Sequence, residues 1–283
     1  MRQLPNLEGM KTEVIIQKIH RNGYDHAVRG AGVKIIEVET RAELEAAAGP
    51  QTAMLYYLAG TTGDWTWKKD PLPLEDCLAV GRRAGFPVLI DAANMLPPWD
   101  NLRKIAATGV DLMAISGGKH MRGPQCSGIL AGRKDLVAAA LMNSSPNSDS
   151  QGRPFKVGRE EIGGGWLAAE RYAQLDFAAL DRQYCDQCEY LLAALKKVPG
   201  LNVGYMPFER GRKIPRVYVR WDEQARGLST RDCVRQLLDG DPRIAVLQHE
   251  GQGIYLTMFM ADPGDEKPVA RRLKEIFQTT RRG

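Results

Sequence analysis

The stretch PVLIDAANMLPPWDNLRKIAATGVDLMAISGGKHMRGPQCSGIL, residues 87–130, decides how the chain is read. Val88-Leu89-Ile90 and Leu112-Met113-Ala114-Ile115 are short, wholly apolar runs of the kind that strands of a parallel sheet show when both faces are buried. Each run ends on polar groups, and open α/β sheets bind their ligands at the carboxyl ends of the strands. Asp91 ends the first run; Ser116, Gly117, Gly118 and Lys119 follow the second. Taken singly, a strand-ending aspartate can be a helix cap and a loop lysine can be merely solvated. Taken together, 28 residues apart and each after a strand, they deliver an acid and an amine to one crevice.

That pair fits the demands of pyridoxal phosphate. The lysine attacks the cofactor aldehyde, and the aspartate keeps the pyridine nitrogen protonated, so that the ring can accept carbanion charge. Ser116 stands three residues before Lys119, where its hydroxyl can reach a phosphate. The two glycines let the backbone turn tightly between them.

Outward from this stretch the pattern alternates strand and helix. Strands are expected at Glu13–Lys18, Val33–Val38 and Ala53–Leu58, and helices at Asp25–Gly30, Arg41–Ala48, Pro73–Ala84, Asn101–Thr108 and Lys134–Leu141. Thr40 and Glu43 form a capping box for the second helix. Ser127–Gly132 is expected to return as an antiparallel strand. This is a doubly wound α/β sheet. A polar loop, residues 142–165, holds Arg153, Lys156 and Arg159, which can meet a phosphate or carboxylate or simply face water. Trp166–Lys197 reads as one long connecting helix. Beyond it, strands at Leu201–Tyr205, Arg216–Trp221, Ile244–Gln248 and Gly253–Met258 and helices at Thr230–Leu238 and Pro268–Phe277 make a small α+β domain. The expected division is therefore a large domain over 1–165, a helix over 166–198 and a small domain over 199–283.

Composition narrows the classes. The chain has 283 residues, is 43% hydrophobic and carries a net charge of +5. The charge permits acidic or phosphorylated substrates without demanding nucleic acid, and no basic run with interleaved aromatics suggests otherwise. No apolar run approaches the roughly 20 residues of a membrane helix. The first residues lack the apolar core of a signal peptide, so a cytoplasmic location is expected. Cys185 and Cys188 form a lone CxxC inside a helical pattern with no second pair or nearby histidines, which reads as reduced structural thiols and not a zinc site.

The segments HRNGYDHAVRGAGVKIIEV, PVLIDAANMLPP, DLMAISGGKHMRGPQCSGILAGRKDL and GRPFKVGREEI resemble the fold-type-I (aspartate-aminotransferase-like) pyridoxal phosphate enzymes. Within them the chain is similar to the selenocysteine-synthase-like group, L-seryl-tRNA(Sec) selenium transferase and D-glucosaminate-6-phosphate ammonia-lyase. The resemblance implies that Lys119 is the Schiff-base lysine, that Asp91 partners the ring nitrogen and that His20 stacks on the ring. It implies that Arg153 and Arg159 bind phosphate or substrate groups, in part for a neighbouring subunit of a homodimer or larger homo-oligomer. It further implies β-elimination or β-replacement on an amino acid or amino sugar through an external aldimine, with transamination or racemisation as alternatives that use the same two residues. The family carries roughly a hundred more residues upstream, with a small-residue loop that grips the cofactor phosphate. No such loop precedes His20, so the large domain is expected to lack its N-terminal part. A non-catalytic truncated paralogue is the alternative from another class. A small amino substrate, phosphorylated or not, is expected in preference to tRNA, since no separate tRNA-binding domain is visible.

Overall fold

The computed structural model describes residues 2–60, 70–206, 214–248 and 253–279. Residues 61–69, which include Trp65 and Trp67, and residues 280–283 lie outside these residues. The chain divides into two compact units between Leu175 and Asp176.

Among the described residues, the first unit is built on six strands: β1 Glu13–Gln17, β2 Lys34–Val38, β3 Thr52–Leu58, β4 Val88–Asp91, β5 Leu112–Ser116 and β6 Gly128–Gly132. Their order across the sheet is β2-β1-β3-β4-β5-β6, parallel except for β6, which runs antiparallel to β5. The central strands are nearly continuous in buried apolar residues (Val14, Ile15, Ile16; Leu55, Tyr56, Tyr57), as strands covered on both faces must be. β2 and β6, at the two edges, keep exposed positions. The helices are α1 His26–Arg29, α2 Arg41–Ala47, α3 Leu74–Ala84, α4 Asp100–Ala107, α5 Lys134–Met142 and α6 Arg159–Ala173. The capping box opens α2: Thr40 Oγ1 accepts the Glu43 N–H, and the Glu43 carboxylate accepts the Thr40 N–H. α3 carries Glu75 and Asp76 in its first turn and Arg82 and Arg83 in its last, matching the helix dipole. It ends at Gly85, whose φ of +74° a side chain would strain. Asp111 then ties the strands together, accepting the Val88 N–H at 2.8 Å and Arg133 Nη1 at 3.1 Å.

The expected single helix over 166–198 is two helices. α6 starts earlier, at Arg159, taking up the end of the expected loop, and it stops at Ala173. α7 Phe177–Leu195 begins afresh because the Asp176 carboxylate caps it, accepting the Ala179 N–H at 2.9 Å. The apolar spacing runs on across the break, which is why periodicity alone joins the two.

The second unit adds β7 Asn202–Met206, β8 Arg216–Arg220, α8 Glu223–Arg226, α9 Thr230–Leu238, β9 Leu247–Gln248, β10 Ile254–Thr257 and α10 Glu266–Thr279. Its antiparallel sheet, β7-β8-β10-β9, packs Val217, Val219 and Leu256 with Leu191, Leu237, Leu273 and Phe277 from the helices. Ser229 caps α9 through the Asp232 N–H. The unit is α+β, as the sequence pattern requires.

Candidate active site

The strand order places β1 and β3 side by side although β2 lies between them in sequence, so the winding direction reverses there. A crevice opens outside the carboxyl ends of strands at such a switch point. A cavity of about 390 Å³ occupies that position in the first unit. It is lined by Ile19, Arg21, Asn22 and Tyr24 after β1, by Leu58, Ala59 and Gly60 at the end of β3, by Asp91, Ala93, Asn94 and Met95 at the end of β4, and by Lys119 after β5. Its volume falls in the roughly 300–1,000 Å³ range of small-molecule sites.

Asp91 is the last residue of β4, in register with Leu58 on one side and Ala114 on the other. Its Oδ1 accepts the Ala93 N–H at 3.0 Å and its Oδ2 accepts the Tyr56 hydroxyl at 2.7 Å. Each oxygen keeps a lone pair for one further donor. Burial first, and the Asp91 charge second, push the Tyr56 hydroxyl well above the ordinary phenol value, so it stays a donor.

Lys119 is exposed to the cavity between two buried neighbours, Gly118 and His120. The loop that carries it is clamped. Gly117 N–H donates to the Ser127 carbonyl at 3.0 Å, Gly123 N–H to the Gly117 carbonyl at 2.9 Å, and Gln125 Nε2 to the Gly118 carbonyl at 3.0 Å. Neither Gly117 nor Gly118 has a positive φ, so a tight turn is not what demands them. Close approach does. A Cβ on Gly117 would lie 2.4 Å from Ser127 Oγ, and one on Gly118 would lie 2.6 Å from Gln125 Cα. Behind the loop, His120 bonds Tyr172, whose ring meets Trp99 edge-on at 5.7 Å.

The other expected site residues lie elsewhere. His20 is fully buried and does not line the cavity. Its Nδ1 accepts the Leu58 N–H and its Nε2 faces Asp70 Oδ2, both at 3.3 Å, which fixes the proton on Nε2. Its ring packs edge-on against Tyr57 at 4.4 Å. The resemblance implied a ring stacked on the cofactor; here the His20 ring is enclosed and is not among the residues that line the cavity. Ser116 is half-buried at the end of β5 and does not line the cavity. Arg153 lies in a separate hollow and donates to Ser145 Oγ at 3.0 Å, while Arg159 is exposed in the first turn of α6.

Sequence reasoning missed Tyr56, Tyr24, Asn22 and Arg21. Tyr24 is an aromatic ring that the cavity itself presents, 86% exposed. Asn22 holds the turn beneath it, accepting the Tyr24 N–H at 2.7 Å and donating to the His20 carbonyl at 3.1 Å. Arg21 is committed to the carboxylates of Asp25 and Glu37. The available signal was position: Arg21-Asn22-Gly23-Tyr24 directly follows a strand beside the switch point.

The residues present suit pyridoxal phosphate: an amine and a half-satisfied carboxylate from adjacent strands face one cavity of small-molecule size. No protein-family model matches the chain. It is 31% identical, over 98% of its length and 70% of the relative's, to a 5'-C-glycyluridine monooxygenase-decarboxylase of a Streptomyces species. It is 30% identical, over 97% of its length and 73% of the relative's, to the D-glucosaminate-6-phosphate ammonia lyase of Salmonella typhimurium. The solved structure of a D-glucosaminate-6-phosphate ammonia-lyase superposes on 99% of the chain with a TM-score of 0.80 and 28% identity, covering 74% of that structure. A structure of SPT holding PLP, 15% identical, covers 95% of the chain and 67% of its own with a TM-score of 0.54, which shows the fold. The chain belongs to the fold-type-I pyridoxal phosphate enzymes, in the group that includes D-glucosaminate-6-phosphate ammonia lyase and L-seryl-tRNA(Sec) selenium transferase.

Proposed function

We propose that this enzyme removes or replaces a β-substituent of a small amino acid or amino sugar, elimination of the ammonia-lyase type being the leading reading, at the cavity between Asp91 and Lys119. The observation that carries the reading is that both side chains line one cavity at the carboxyl ends of neighbouring strands. Bound there, pyridoxal phosphate supplies an electron sink for charge that develops on the substrate carbon beside the amine. Lys119 Nζ would hold the cofactor as its amine and, freed from it, would take the proton from that carbon and hand it to the departing β-substituent. Asp91 holds the proton on the ring nitrogen with the lone pairs that Tyr56 and Ala93 leave open. Tyr24 offers its exposed ring as a wall of the cavity.

The test is the visible absorbance of the purified protein with added pyridoxal phosphate, followed by ammonia release from 2-amino-sugar 6-phosphates. Lys119→Ala should abolish the band and the release together. A colourless wild-type protein would favour the non-catalytic paralogue. A second reading rests on the Streptomyces relative, whose name describes oxidative decarboxylation. Uptake of molecular oxygen with loss of carbon dioxide from a glycyl nucleoside, in place of ammonia release, would establish it.

Arg153 and Arg159 enter this reading through a second copy of the chain. Phe155, Ile162, Trp166 and Leu167, all more than three-fifths exposed, lie near them in sequence on the loop and α6. An apolar surface of that kind marks a contact. A homo-oligomer in which these arginines bind phosphate or carboxylate for the neighbouring copy accounts for both, and sedimentation velocity tests it: a monomer at micromolar concentration would exclude it.

A further inference from the structure

We propose that Tyr56 is a positioning residue for Asp91, its hydroxyl fixing the carboxylate plane and sharing its charge so that one ionised edge faces the cofactor ring nitrogen. This rests on reading the cavity as a pyridoxal phosphate site. The sequence logic is one of register. Tyr56 pairs with Leu89 on β4, two residues before Asp91, so the long phenol on the same face runs along the neighbouring strand to the carboxylate at its end. Tyr56 is 5% exposed, so water competes little for its hydroxyl.

Two donors grip Asp91 from different directions: Ala93 N–H on Oδ1 and Tyr56 O–H on Oδ2. The backbone donor alone would leave the carboxylate free to rotate about its last bond. With both, its orientation is set before any ligand arrives, which is the general requirement for an efficient electrostatic partner. The groups that face this pair are Asp25 and Asn22 from the segment before α1, and Arg21 and Lys119 across the cavity. Asp25 and Arg21 are paired with each other, and Lys119 lines the cavity with Asp91.

Tyr56→Phe removes one oxygen and keeps the buried ring, so the strand packing survives. Without that donor, more negative charge stays on Oδ2 beside the ring nitrogen. The midpoint pH at which the cofactor's visible band titrates should rise by about 0.5–1 unit. Cofactor affinity should fall roughly three- to tenfold as the carboxylate loses its fixed orientation. In an Asp91→Asn background the same substitution should change neither quantity, which a merely structural role would not produce. Circular dichroism of each variant establishes that it is folded. Overturning results are a Tyr56→Phe protein that titrates and binds like wild type, or an effect that persists undiminished in Asp91→Asn. A wild-type protein without a band would instead remove the cofactor reading, and this proposal with it.

Discussion

Replacing His20 by alanine separates two roles that the sequence alone could not. A ring stacked on a cofactor from the cavity side would matter for binding and little for folding. The structure assigns the opposite. His20 Nε2 donates to the Asp70 carboxylate at 3.3 Å, Nδ1 accepts the Leu58 N–H at 3.3 Å, and the ring contacts Tyr57 edge-on at 4.4 Å, all in full burial. A hydrogen bond to a carboxylate contributes about 1.5–3 kcal/mol and an aromatic pair about 0.5–1.5 kcal/mol, so truncation should cost roughly 2–4 kcal/mol. Tyr57 also donates to Asp70 Oδ2, so the carboxylate does not lose every partner, which keeps the loss within that range. Against a typical domain stability of about 5–15 kcal/mol, this is a large fraction, visible as a fall of roughly 5–15 °C in melting temperature. Urea unfolding of His20→Ala followed by far-ultraviolet circular dichroism measures it, beside the cofactor titration. Tyr24→Ala is the contrast: its exposed ring should leave the unfolding midpoint within about 0.5 kcal/mol of wild type while weakening cofactor binding. A His20→Ala protein as stable as wild type but unable to bind the cofactor would refute the assignment and restore the stacking role.

Gly118→Ala should displace the Lys119 loop, because the new Cβ meets backbone of Gln125 at 2.6 Å; a cost of about 1–3 kcal/mol and loss of the cofactor band are expected, read by unfolding and absorbance. Asp25 is held below the ordinary carboxylate range by the Arg21 hydrogen bond first and the Arg29 bond after burial's opposing effect. A depressed folded value means stability present above the unfolded pKa of about 4 and lost as pH falls through the folded value. Asp25→Asn should therefore be less stable than wild type at pH 7, with the gap closing below about pH 4; a gap independent of pH in urea melts would contradict the clamp.

What the sequence disclosed and what it withheld follow one physical division. The strand-end positions of Asp91 and Lys119 were legible because each follows a short, continuous apolar run, and parallel strands present their ends on one side. The Thr40–Glu43 box was legible because caps act over three residues. The partners of the site were not, because they depend on which strand lies beside which. Tyr56 reaches Asp91 only because β3 neighbours β4 in one particular register, and His20 is enclosed only because Asp70, fifty residues on, returns to meet it. The break between α6 and α7 was hidden for the opposite reason: its signal, Asp176, is local, but the apolar spacing outvoted it. The enclosed His20 and the close-packed Gly117 and Gly118 share that cause. Residue type alone suggests one role for each, whereas burial and a neighbouring backbone decide what it does. Tyr56 is the corresponding gain, a phenol that the sequence offers as one more aromatic of a buried strand and that register turns into the second donor on the Asp91 carboxylate.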